Sequence, residues 1–241
     1  MAKKGQITMM IIIAIVIVCA IILTFALRNK VISDTEKFNQ NAGPVQAYII
    51  DCIKKTAYDG VYTISSKGGY YFPAASSLDT REAYYALSNK SLVPNLSIIE
   101  AQLGAYINVN LRSCINGFGA FPALNISSGD ITANATLKED GFVVDVTYPI
   151  TITKEGSVYT LSDFKDTEVI SRADLLYVIA SNYSSMFLQT GGLSLTYASN
   201  IEDSFGIIST FQHFPDYTLV TLTDDIGVDN NSTYQWRFAL A

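Results

Sequence analysis

The stretch ITANATLKEDGFVVDVTYPITITKEGSVYTL, residues 131–161, decides the fold class. Apolar and polar residues alternate over Ile131–Leu137, which is the spacing of a strand with one buried face. Two turn signals follow, Glu139-Asp140-Gly141 and Lys154-Glu155-Gly156, and each is typical of a hairpin. The stretch therefore predicts a three-stranded antiparallel meander, whose second and third strands cover Phe142–Thr153 and Val158–Leu161.

Helical patterns lie on both sides of this meander. Apolar residues recur three and four positions apart in segments that predict helices over Pro44–Ile64, Ser97–Asn116 and Ser171–Gln189. Ser97 and Glu100 predict a capping box at the start of the second helix. The predicted buried stripe of the third helix is Leu175, Val178, Ile179 and Asn182.

The remaining elements complete an α+β fold class, in which amphipathic helices pack on an antiparallel sheet. A terminal hairpin is predicted from Tyr217–Thr223 and Ser232–Leu240. A single N-terminal transmembrane helix is predicted to precede this domain. The predicted divisions are a basic leader (1–6), the transmembrane helix (7–28), a stalk (29–43) and an extracellular α+β domain (44–241).

The amino-terminal segment Ile7–Leu27 contains no charged residue. As a helix it would extend about 31 Å, which is enough to cross the hydrocarbon core of a bilayer. An ordinary cleaved secretory signal is disfavoured, because the chain continues directly to Arg28-Asn29-Lys30 without a small-x-small cleavage site. We therefore expect a single-pass protein that residues 7–28 hold in the lipid bilayer, with its N-terminus inside and its C-terminal domain outside the cell.

A short motif before the apolar segment, Lys4-Gly5-Gln6-Ile7-Thr8, resembles the class III signal peptide of archaeal type IV pilin-like proteins. The resemblance implies cleavage after Gly5, so that the mature chain begins at Gln6 and keeps the apolar helix. Many such proteins carry Glu at the fifth mature position, where this chain has Met10. The filament-assembly signal therefore departs from the family pattern. The alternative is that the leader lysines are only the positive flank of an uncleaved signal anchor.

A wider set of motifs recurs along the chain: the start Lys4–Thr8, Tyr48–Cys52, Gly68-Gly69-Tyr70, Ile99-Glu100, Asn110-Leu111 and Cys114. Together they resemble a group of uncharacterised archaeal membrane-anchored envelope proteins. The resemblance extends over about the first half of the chain and the strand at Tyr148-Pro149-Ile150. It implies an archaeal surface protein and no particular activity.

Seven Asn-x-Ser/Thr sequons follow the apolar segment, which is more than the composition predicts by chance. Such sequons accept glycans on exported domains, so they predict a glycosylated outer surface. The alternative is that they serve as turn and cap residues. The candidate glycosylation sites are Asn89, Asn95, Asn125, Asn134, Asn182, Asn230 and Asn231.

The charge balance excludes nucleic acid as a partner. Four of the 16 Lys and Arg residues lie in the first 30 positions, which hold no acidic residue, so the rest of the chain carries 12 basic against 22 acidic residues. Proteins that bind nucleic acid by neutralising phosphates need an excess of cations.

Two of the three cysteines can form a disulfide. Cys52 and Cys114 lie on the apolar stripes of the first two predicted helices, while Cys19 lies in the apolar segment. An exported location permits a disulfide, which would stabilise the fold by about 2–4 kcal/mol. The alternative is two buried free thiols.

Two cysteines and one histidine cannot supply the four ligands of a structural zinc site, so the sequence predicts no metal.

No motif indicates an enzyme or a cofactor. His213 is the only histidine, and we expect its aromatic-flanked segment to pack structurally, since no G-x-S-x-G elbow is present. The acidic group Asp224, Asp225, Asp229 and Asn230 lacks EF-hand spacing and predicts a solvated turn.

The sequence thus favours a structural or adhesive pilin-like surface protein that contacts itself or other envelope proteins. The alternative is a non-assembling anchored protein whose ectodomain binds a partner or ligand.

Overall fold

The computed structural model describes residues 15–24, 42–78, 81–226 and 233–241. Residues 15–24 are helical. The described helices of the domain are α1 (Gly43–Ser65), α2 (Leu96–Ile115), α3 (Ala173–Thr190) and α4 (Leu195–Phe205). The strands are β1 (Tyr84–Leu87), β2 (Lys90–Ser91), β3 (Asn125–Ser128), β4 (Thr132–Lys138), β5 (Gly141–Lys154), β6 (Ser157–Ile170), β7 (Ile207–His213), β8 (Thr218–Asp224) and β9 (Tyr234–Leu240). This mixed architecture confirms the α+β class.

The first sheet is the predicted meander with one added strand. β5 is central, pairing with β6 along one edge and with β3 and β4 along the other, all antiparallel. β3 and β4 meet near Pro149 of β5, which has no N–H to donate and whose carbonyl accepts from the Gly129 N–H at 2.8 Å. β6 continues to Ile170, well beyond its predicted end at Leu161. The meander prediction is therefore correct but too short.

The second sheet has the order β2-β1-β9-β8-β7. The predicted terminal hairpin is its centre, since β8 and β9 pair antiparallel from Thr218↔Leu240 to Asp224↔Tyr234. β1 pairs with β9 in parallel, and β7 extends the sheet on the far side. One face of β9 is completely buried, and Trp236 and Phe238 have no exposed surface.

α1 and α2 pack against each other and connect the sheets, because α1 contacts β6 and β9 while α2 contacts β4. Gly60 and Gly104 permit this close approach. A Cβ atom at Gly60 would lie 2.7 Å from Leu103 Cδ1, and one at Gly104 would lie 2.8 Å from the Ala133 carbonyl oxygen. Both distances are shorter than real Cβ contacts. The obstacle at Gly104 is backbone, so α2 needs glycine there to lie on β4, whereas at Gly60 the side chains of Leu103 and Tyr106 would have to shift.

The predicted capping box of α2 is wrong in its residues. Asn95, rather than Ser97, is the N-cap, and its Oδ1 accepts from the Ile98 N–H at 3.0 Å. Glu100 does not reach back to the helix start, because its Oε1 accepts from the Leu137 N–H of β4 at 2.9 Å. The carboxylate that suits a cap thus binds the neighbouring strand instead.

The predicted buried stripe of α3 is rotated. Val178 and Asn182 are exposed, Leu175 is half-buried, and of the four predicted positions only Ile179 is buried. The helix packs on β1 and β9, which present large rings such as Trp236. The small residues Ala173, Ala180 and Ser184 let the helix approach those rings. The buried face of the helix consists of Ala173, Leu176, Ile179, Ala180, Tyr183 and Ser184.

Among the described residues, none of the helices combines the length and apolar character needed to cross a membrane. The predicted leader 1–6, all of the predicted span 7–28 except residues 15–24, and residues 29–41 of the predicted stalk lie outside the described residues. Ala42 is buried in the core and Gly43 begins α1.

Candidate functional site

The predicted processing site is not among the positions that the structure describes. Lys4, Gly5 and Gln6 all precede residue 15, where the description begins. Cleavage after Gly5 therefore stays a prediction.

Cys52 and Cys114 form the predicted disulfide. Their Cα atoms are 5.7 Å apart, and the bond joins α1 to α2 across a sequence separation of 62. Cys52 is buried, with 3% of its surface exposed, whereas Cys114 is half-buried. Tyr48 of α1 adds a second link, because its hydroxyl donates to the Cys114 carbonyl at 3.0 Å. The disulfide confirms the pairing and excludes the two free thiols.

All five described sequon asparagines are exposed, while Asn230 and Asn231 lie outside the described residues. Their backbone settings differ. Asn89 occupies the β1–β2 turn with φ 62°, Asn95 caps α2, and Asn182 donates from Nδ2 to the Tyr197 hydroxyl at 3.1 Å. Asn125 and Asn134 lie on β3 and β4. A glycan bonds to the side-chain amide nitrogen, and at Asn182 it would replace one of the two hydrogens on the nitrogen that donates to Tyr197.

His213 does not pack in the protein interior. It is the last residue of β7 and is exposed, and its Nδ1 lies 3.0 Å from Thr218 Oγ1 across the β7–β8 hairpin. The expectation of a structurally packed histidine is therefore wrong in its burial. Of the aromatic residues beside it, Phe214 lies in the hairpin loop, whereas Phe211 belongs to β7 and packs edge-on against Tyr183.

Asp224 contradicts the prediction of a solvated acidic turn. Its side chain has no exposed surface and pairs with Arg172, with 3.0 Å between Oδ1 and Nη1. The same oxygen accepts from the Ile226 N–H at 3.1 Å. Burial raises the pKa of the neighbouring Tyr234 hydroxyl, and the charge of Asp224 raises it further. A buried carboxylate needs such a cation, so this residue belongs to the core, whereas Asp225 is exposed.

A groove of about 410 Å³ lies on the exposed face of the second sheet, near the β7–β8 loop. We call it the sheet-face groove. Cross-strand pairing puts Gln212 beside Leu219, and the segment before β1 forms the opposite wall. The polar and aromatic residues that line it are Arg81, Glu82, Gln212, Phe214, Tyr217 and Arg237.

The charged residues of the sheet-face groove comprise one ion pair and one further cation. Glu82 is buried, and its Oε1 lies 3.0 Å from Arg237 Nη2. Arg81 is exposed, and within the described chain no carboxylate lies within ion-pair distance of its guanidinium. Among the described residues that line the groove, two arginines therefore accompany a single carboxylate, on a domain with excess acid.

A second groove of about 470 Å³ surrounds the β4–β5 turn. Its charged residues are mainly acidic, including Glu139, Asp140 and Glu168, and its single aromatic residue, Phe142, is buried. It offers a ligand neither an accessible ring nor a predominance of cations. The sheet-face groove is therefore the better candidate for a binding site.

The sheet-face groove was not predicted from sequence, because its residues come from three distant segments. One local signal marked it: the four-residue loop Phe214-Pro215-Asp216-Tyr217, whose rings are stacked. No family model matches the chain, and no curated protein or solved structure matches it.

Proposed function

We propose that this chain is a membrane-anchored cell-surface protein of the type IV pilin-like class, with a structural or adhesive role. The observation that carries the proposal is the uncharged run Ile7–Leu27 directly after Lys4-Gly5. A run of this length suits a bilayer, and the preceding motif resembles a class III cleavage site.

The described part of the apolar run supports this proposal. Residues 15–24 are helical, and their large apolar side chains are each at least half exposed, between 50% and 64%. Exposed apolar surface on this scale needs a cover of lipid or neighbouring helices. Both covers agree with a pilin-like helix, which lies in the membrane before assembly and among other helices after it. The side chains concerned are Ile15, Val16, Ile17, Val18, Ile21, Ile22 and Leu23.

The domain after the apolar run has the features of an exported protein. The disulfide between Cys52 and Cys114 suits an oxidising environment. The exposed sequon asparagines are accessible for glycosylation. Together they support an extracellular location for residues 44–241, with the N-terminus inside.

A second candidate function follows from Met10. Many pilin-like proteins have Glu where this chain has Met10, so a signal-anchored protein that does not assemble is the alternative. Its ectodomain would bind a partner or ligand at the cell surface.

Surface exposure and assembly can be tested in intact cells of a host with prepilin-type processing. The wild-type chain is compared with Gly5→Phe, which enlarges the residue before the proposed cut, and with Ala2→Ser as a matched leader control. We expect external protease to digest the domain in all three, and shear to release filaments from the wild type and the control only. Surface exposure without filaments in the wild type would favour the non-assembling alternative. Protection of the domain from external protease would refute both candidates.

A further inference from the structure

We propose that the sheet-face groove binds an acidic saccharide, with Phe214 as the stacking surface and Arg81 as the partner of the sugar's carboxylate. This inference gives the adhesive role a ligand class, and it rests on the proposed function only for the extracellular location of the groove.

The aromatic part of the groove is held rigidly. The Phe214 and Tyr217 rings are stacked, with centroids 4.6 Å apart and planes at 19°. The Phe214 N–H donates to the Tyr217 carbonyl at 2.8 Å and fixes the loop, and Tyr84 packs edge-on against Tyr217 at 6.4 Å. A ring supported from behind presents its contact surface with little loss of entropy on binding.

Phe214 is suited to a ligand because much of its surface remains open. It is 45% exposed, although a phenyl ring gains most when it is buried. A sugar ring has an apolar C–H face, which packs on an aromatic face while its hydroxyls point to polar groups. The groove that Phe214 lines holds four charged or amide side chains beside the apolar Leu78 and Leu219. This arrangement suits a sugar better than an apolar peptide side chain.

The floor of the groove supplies both donors and acceptors. Arg237 and Glu82 form an ion pair at 3.0 Å, with side-chain exposures of 34% and 10%. The Gln212 amide is exposed beside them. Planar groups of these types form pairs of parallel hydrogen bonds, and neighbouring sugar hydroxyls match that spacing.

Arg81 distinguishes an acidic saccharide from a neutral one. Its guanidinium is exposed and has no ion-pair partner in the described part of the chain. A guanidinium binds a carboxylate through two parallel hydrogen bonds. The groove volume of about 410 Å³ also lies in the range of about 300–1,000 Å³ that is typical of small-molecule sites. A uronic acid unit would therefore fit within the groove and pair with Arg81.

The test is calorimetry on the full chain, purified in a detergent without a sugar headgroup, which would otherwise compete. The probes are a galacturonate oligomer and a neutral galactose oligomer of equal length. Phe214→Ala and Arg81→Gln remove the two proposed contacts. The matched controls are Phe72→Ala, an aromatic that is 53% exposed elsewhere, and Arg112→Gln, an exposed arginine paired with Asp130.

We expect the galacturonate oligomer to bind the wild type more tightly than the neutral oligomer. Phe214→Ala should weaken binding about tenfold. Arg81→Gln should weaken it by about 10- to 100-fold and remove the preference for the acidic oligomer. Both controls should bind like the wild type, and thermal unfolding should show that all four variants remain folded.

Three outcomes would overturn the inference. They are no binding of either oligomer to the wild type, equal losses in the groove variants and the controls, and competition by an acidic peptide as strong as that by the oligomer. Because binding is measured on purified protein, its failure would leave the anchored, pilin-like proposal intact. Equally, a finding that the chain has no membrane anchor would not alter the affinity of the groove for the galacturonate oligomer.

Discussion

The disulfide between Cys52 and Cys114 should provide a large share of the stability of the domain. Replacing both residues by alanine removes the link between α1 and α2 and leaves their other contacts in place. The sequence separation of 62 corresponds to a loop-closure contribution of about 4 kcal/mol at 25 °C. Typical domains unfold with about 5–15 kcal/mol, so the loss is a substantial fraction of the total.

The assay is urea unfolding of the full chain, followed by the fluorescence of Trp236. This is the only tryptophan, and it is fully buried in β9. Cys52→Ala/Cys114→Ala should lower the free energy of unfolding by about 4 kcal/mol and the melting temperature by about 8–16 °C. Cys19→Ala is the matched control, because Cys19 is an exposed free thiol, and it should have no effect.

Reduction provides an independent check. Phosphine treatment of the wild type should reproduce the loss seen in the double variant, and it should not destabilise the double variant further. Denatured, unreduced wild type should expose one alkylatable thiol, that of Cys19. A change below about 1 kcal/mol, which is no more than an ordinary point substitution, or three reactive thiols in the unreduced chain, would refute the reasoning.

Other predictions concern the core. Arg172→Met leaves the fully buried Asp224 without its cation and should cost about 3–5 kcal/mol in denaturant unfolding; an unchanged midpoint would show that the pair is unimportant. Burial raises the pKa of Tyr85 and of Tyr234 above the ordinary 10.0, so the unfolded chain loses these protons first as pH rises. The free energy of unfolding should therefore fall above pH 10 by about 1.4 kcal/mol per pH unit for each of the two. Tyr234→Phe should remove the contribution of one of the two tyrosines to this pH dependence, and an unaltered slope of the free energy of unfolding above pH 10 would contradict the prediction. Gly104→Val should lower stability by about 1–3 kcal/mol, because a Cβ there would lie 2.8 Å from a β4 carbonyl oxygen; a melting temperature equal to wild type would mean that the helix shifts without cost.

The parts of the fold that were predictable have local patterns. The β4–β5–β6 meander and helices α1 to α3 are encoded by alternation, helical spacing and turn residues within short windows. The predicted third strand of the meander ended too early, at Leu161, because the alternation of buried and exposed residues in β6 becomes irregular beyond that residue. The irregularity lies near Asp166, which has a positive φ of 55°. The parallel pairing of β1 with β9 joins segments far apart in sequence and has no local pattern to reveal it.

The candidate site was harder to predict than the fold, since its chemistry depends on tertiary contacts. Asp224 resembles a turn residue in sequence, and only the assembled fold brings Arg172 to it. In the same way, Glu82 pairs with Arg237 across most of the domain. By contrast, the disulfide was predictable because both cysteines lie on the apolar stripes of their own helices.

The central claim is that this chain is a processed, pilin-like protein of the cell surface. The most direct measurement is the mass of the N-terminal peptide of the protein recovered from its native envelope. A peptide that begins at Gln6 is predicted and would establish cleavage after Gly5. An intact N-terminus that retains Lys3-Lys4-Gly5 would contradict the claim and identify the leader as part of an uncleaved anchor.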